Sequence, residues 1–90
     1  MKKLKPINAA LQFLSRYVQK GAPNNQYFTK KALFTYMDEH GVKINKFDKC
    51  LILLNLETAH FIEYDEHCDA FHVDIGSSLV CEILKKYIVY

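Results

Sequence analysis

Glycine is scarce in this chain of 90 residues, and three glycines leave no room for a loop that cradles phosphate. Cysteine is equally sparse. Cys50, Cys68 and Cys81 are odd in number and lack CxxC spacing, which argues against a disulfide framework and for a reducing compartment. No apolar run approaches the roughly 20 residues of a membrane span. The basic start, Met1 to Lys5, leads into a segment broken by Asn8, Gln12, Ser15 and Arg16, which is not the core of a signal peptide. A cytoplasmic location without membrane association is the expectation. Arginine is nearly missing too, since eleven of the twelve basic residues are lysine and Arg16 is the exception. Lysine contacts phosphate well, but the commonest specific base contact uses the arginine fork. An AT-rich genome would produce the same lysine bias.

What the chain does have is apolar mass. Half of its residues are hydrophobic and 13% are aromatic, enough for a core without metal or disulfide. So short a chain builds one core, so residues 1–90 are read as a single domain. The net charge of +2 is unevenly spread. Residues 1–45 hold eight Lys/Arg against two Asp/Glu, and residues 46–90 hold four against eight. One side of the molecule is therefore expected to face anions.

Pro6 suits the first turn of a helix, and Ile7, Ala10, Leu11, Leu14 and Val18 follow at spacings of three and four. Gly21 and Pro23 are expected to stop that helix. Gln26-Tyr27-Phe28 predicts a short strand and Thr29 an N-cap. A second helix then runs from Lys30 to His40 with Leu33, Tyr36 and Met37 on one side, ended by Gly41. Asn45 and Asp48 open a third helix that reaches about Ala59. At 100° per residue its inner face is read as Phe47, Cys50, Leu51 and Leu54. The other side begins with Asn45 and Lys49 but continues as Ile52, Leu53 and Leu56, so it is expected to meet another helix, from this chain or from a partner. From Phe61 the period changes to two. Phe61 to Tyr64 and Ala70 to Val73 flank polar Asp65-Glu66-His67-Cys68-Asp69, the pattern of a β-hairpin. Asp74, Ser77 or Ser78 then caps a last helix with Leu79, Val80, Ile83, Leu84, Tyr87 and Ile88 on its face.

The order is helix, short strand, helix, helix, hairpin, helix, a mainly α fold with one β-hairpin. It resembles the winged helix-turn-helix superfamily over roughly Ile7 to Ile88. The third helix runs through Ala59-His60-Phe61-Ile62 straight into the hairpin, as recognition helices there run into the wing. Val73-Asp74-Ile75-Gly76 resembles the hydrophobic-Thr-x-x-Gly stretch of small MarR-type regulators, with Asp for Thr and one residue fewer before Gly. The resemblance implies a homodimeric DNA-binding protein, a transcriptional regulator of bacterial, plasmid or viral type that needs no cofactor and carries out no catalysis. The third helix would enter the major groove of double-stranded DNA. Lys43, Asn45, Lys46 and Lys49 would make contacts there, with Lys30 and Lys31 near a phosphate at the start of the second helix. These lysines are also ordinary solvated surface.

The wing departs from the family pattern, because Glu63, Asp65, Glu66, Asp69 and Asp74 give it five acids and no Lys or Arg. Phosphate would repel it. The alternative is a winged helix kept for protein contact, binding or inhibiting a basic partner through the acidic hairpin and the apolar third helix. His60, His67, Cys68 and His72 have no ligand-pair spacing, so no metal is expected. Nothing brings a base and an oxyanion site to Cys68, so no enzyme is expected either. The apolar last helix is read either as packing on the first helix or as a dimer interface of Leu79, Ile83, Leu84, Tyr87 and Ile88.

Overall fold

A computed structural model describes residues 5–19 and 27–88. Its elements are α1 (Pro6–Ser15), β1 (Tyr27–Phe28), α2 (Lys30–Glu39), α3 (Lys46–Thr58), β2 (Ile62–Asp65), β3 (Ala70–Val73) and α4 (Ser78–Lys85). The described residues form a small domain of four helices and one three-stranded antiparallel sheet, ordered β1-β3-β2. The element order is the one expected from the sequence.

Local chemistry sets the helix starts. Pro6 occupies the first turn of α1. The backbone N–H of Ala32 donates to Thr29 Oγ1 at 3.1 Å, that of Asp48 to Asn45 Oδ1 at 2.8 Å, and that of Val80 to Ser77 Oγ at 3.3 Å. Each cap satisfies a helix donor that would otherwise lack a partner and is worth about 1 kcal/mol. Ser77, among the three candidates, is therefore the cap of α4.

Two helices end in the same six-residue motif. Gly41 has φ +76°, and the N–H of Val42 donates to Met37 O at 2.9 Å. His60 has φ +64°, and the N–H of Phe61 donates to Leu56 O at 3.0 Å. In both, a left-handed residue reverses the chain and brings an apolar side chain back onto the last helical turn. Only one of the two positions is glycine. α1, in contrast, ends sooner than expected. After Ser15 the chain tightens into i→i+3 bonds, Tyr17 N–H to Leu14 O at 3.0 Å and Val18 N–H to Ser15 O at 3.2 Å. Ser15 itself donates to Gln12 O at 2.6 Å. Val18 thus lies past the helix, and Gly21, Pro23 and Gln26 lie outside the described residues.

β2 and β3 pair with Ile62 opposite Val73 and Tyr64 opposite Phe71, and β1 adds Phe28 opposite Phe71. Asp65 pairs with Ala70, so the turn shortens to Glu66–Asp69, with Asp69 at φ +49°. The core joins Leu11, Phe13 and Leu14 of α1, Leu33 and Met37 of α2, Ile52, Leu53 and Leu56 of α3, Ile62, Phe71 and Val73 of the hairpin, and Val80 and Leu84 of α4. Phe13 meets Phe28 edge-on at 5.3 Å between ring centres, and Phe28 stacks on Phe71 at 5.8 Å.

The third helix is turned about its axis from the expected orientation. Ile52, Leu53 and Leu56 are buried, whereas Phe47 is 69% exposed, Leu54 57% and Leu51 39%. Cys50 is exposed as well. The side read as inner is therefore the outer one. Both sides of α3 are apolar, so periodicity could not decide between them. The C-terminal motif decides, because it folds Phe61 back onto the turn that ends with Leu56.

The last helix is also corrected in part. α4 packs on α1 of its own chain, and Leu84 is fully buried. Leu84 is thus part of the core and cannot belong to an interface. Ile83, Tyr87 and Ile88 are half-buried, and Leu79 is the one residue of the expected set that projects fully, at 65% exposure.

Candidate interaction surface

The turn between α2 and α3 creates a groove of about 460 Å³, bordered by Lys31, Phe34, Asp38, Lys43, Ile44 and Lys49 among others. Three of the six residues expected at DNA therefore surround one concavity. They are not equivalent. Lys31 and Lys43 are exposed, whereas Lys49 is half-buried and extends its ammonium to 5.2 Å from the centre of the Phe34 ring. Asn45 is also committed, since its side-chain oxygen caps α3. A bidentate grip on adenine needs that oxygen to accept from the base amino group, so the cap competes with base reading. Lys46 is exposed in the first turn of α3.

Lys30 lies apart from that groove. It borders a second concavity of about 330 Å³, with Cys50, Leu53, Leu54 and Glu57 of α3 and with Tyr64 and Phe71 of the hairpin. This hollow opens beside the outward face of α3. Phe47, Leu51 and Leu54 make an apolar stripe along the outer side of the helix, and Leu54 shares its hollow with Tyr64, itself 43% exposed. Exposed apolar residues scattered singly need no explanation, but residues grouped on one face mark contact sites. Sequence pattern alone does not mark this group as a surface, because the same spacing fits the inner face of a helix.

The hairpin next to this surface ties down two of its acids, Asp65 and Asp69. Tyr64 donates its hydroxyl to Asp69 at 2.6 Å, and Tyr27 donates to Asp65 at 3.2 Å. The N–H of His67 donates to Asp65 at 2.9 Å and, with the Tyr27 hydroxyl, holds the Asp65 carboxyl below its usual value. The carboxylates in turn push both phenols up, the Tyr64 hydroxyl through its bond to Asp69 and the Tyr27 hydroxyl through its bond to Asp65. Partial desolvation in the turn, together with the charge of Asp65, pushes the Cys68 thiol up. A thiol held protonated is a poor nucleophile and a poor metal ligand. Among the described residues no three His, Cys, Asp or Glu side chains are grouped to hold a metal ion.

Among the described residues no helix is long and apolar enough to cross a membrane. Comparison of the chain with known protein families, curated proteins and solved structures finds no match.

Proposed function

We propose that this chain is a winged-helix module that docks a protein partner on the outward face of α3, with the acidic hairpin as the rim of the contact. The helix–strand–helix–helix–hairpin–helix order and the β1-β3-β2 sheet support the winged-helix reading. The observation that carries the docking role is the exposure of Phe47, Leu51 and Leu54 on the helix that would otherwise enter a DNA groove. Base edges and phosphates offer such a surface little to bury against. The partner that fits is a protein segment with apolar residues on one side and Lys or Arg around them, because Glu57 on α3 and Glu66 on the neighbouring hairpin stand exposed.

A second reading, a homodimeric transcriptional regulator bound to double-stranded DNA, is favoured by the gathering of Lys31, Lys43 and Lys49 around one groove. One experiment separates the two readings. A labelled lysine-bearing amphipathic helical peptide and a labelled DNA duplex are titrated with the protein by fluorescence anisotropy. Docking predicts peptide binding that Leu54→Asp abolishes and Lys46→Ala leaves intact. Duplex binding that Lys46→Ala and Lys49→Ala weaken, each lowering the salt slope by about one unit, would establish the DNA reading instead.

A further inference from the structure

Phe47, Leu51 and Leu54 line the outward side of α3 at the four-three spacing that lets one helix pack along another. The same helix carries opposite charges at its two ends on one flank of that stripe. Lys46 and Glu57 are eleven residues apart, so at 100° per residue they project within about 20° of each other. Cys50 lies on this flank between them and is exposed.

We infer that the partner of this face is a second copy of the chain, with the two α3 helices packed antiparallel about a two-fold axis close to Cys50. The inference rests on the docking role of α3 and names the occupant. In that arrangement Phe47 of one copy meets Leu54 of the other, and the Leu51 side chains meet near the axis. Lys46 comes to lie beside Glu57 of the second copy, and two-fold symmetry repeats the pair. In a two-fold parallel arrangement this flank of one copy would lie on the opposite side of the interface from the same flank of the other, so Lys46 and Glu57 would be left without each other; the antiparallel one pairs them. Antiparallel helices bring the hairpin end of one copy, with its acids, to the lysine-bearing start of α3 in the other. The chain therefore supplies an apolar helix whose lysine-bearing start meets the acidic end of its copy.

Cys50 provides the test. In a Cys68→Ser/Cys81→Ser background it is the one remaining thiol, and a short bismaleimide can join two chains only where two Cys50 side chains lie close together. The expected result is a cross-linked dimer, and twice the chain mass by light scattering at high micromolar concentration without cross-linker. Leu54→Asp should weaken self-association by about thirty-fold or more, as loss of a central anchor does. Lys46→Glu and Glu57→Lys should each weaken it several-fold, and the double variant should restore it. A monomer mass at high micromolar concentration overturns the pairing. So does a dimer that gives no Cys50 cross-link or ignores Leu54→Asp, since its interface would lie elsewhere. A monomer that still binds the basic peptide through Leu54 would end the self-pairing and leave the docking role standing, whereas loss of both would end both.

Discussion

Lys49 on α3 holds its ammonium 5.2 Å from the centre of the Phe34 ring on α2. The contact ties the two helices together across their groove and draws the lysine away from the surface where it would meet DNA. A cation over an aromatic face is worth about 0.5–1 kcal/mol in a partly exposed site. A double-mutant cycle of Lys49→Ala and Phe34→Ala, followed by urea melts, should return a coupling of that size. Strictly additive single effects would mean that the pair does not interact.

His60 holds a left-handed backbone at φ +64° to end α3, where a side chain is a burden. His60→Gly should leave the fold unchanged and raise its stability by up to about 1 kcal/mol, the gain from the relieved backbone less the entropy lost by glycine. Gly41→Ala, at φ +76°, should lower stability by about 1 kcal/mol. Thermal melts of the two variants should therefore move in opposite directions.

Leu84 and Leu79 lie five residues apart on α4 with opposite fates. Leu84 is fully buried and Leu79 mostly exposed. Leu84→Ala should cost about 2–5 kcal/mol, and Leu79→Ala should stay within about 0.5 kcal/mol. Equal effects in denaturant titrations would show that α4 is docked differently.

The hairpin gives the molecule a pH dependence at each end of the scale. The bond from Tyr64 to Asp69 needs a protonated phenol, and the Tyr64 pKa is raised above its ordinary value. Its contribution is complete below the unfolded tyrosine value and is lost as pH rises through the folded one. Asp65 behaves in reverse. Its pKa is lowered, so its contribution is present above the unfolded aspartate value and lost as pH falls through the folded one. Tyrosinate absorbance should show late-titrating phenols in the wild type, and Asp69→Asn should move one of them to lower pH. An unmoved titration curve would break the assignment.

The sequence was most informative where one short-range interaction decides the outcome. Thr29, Asn45 and Gly41 mark helix ends because a side-chain oxygen or a missing Cβ settles the backbone there, and alternation from Phe61 to Val73 marks the hairpin because one sheet face is buried. The orientation of α3 was not legible. Phe47, Leu51 and Leu54 are as apolar as Ile52, Leu53 and Leu56, so composition is equal on the two sides. The choice depends on a fold-back at His60, a residue that does not advertise a left-handed turn as glycine does. The same gap hid the candidate surface. Lysines at helix starts were easy to find, whereas an apolar contact face is invisible until it is known which apolar face is already in use.

Phe47, 69% exposed, serves association and not the core in the proposed pairing. Thermal melts of the wild type and Phe47→Asp at low and high protein concentration read both roles at once, because self-association raises the melting temperature by mass action. Wild type should melt higher as it is concentrated, Phe47→Asp should not, and the two should melt together when dilute. A Phe47→Asp variant already destabilised by several kcal/mol at low concentration would place Phe47 in the core and contradict the pairing.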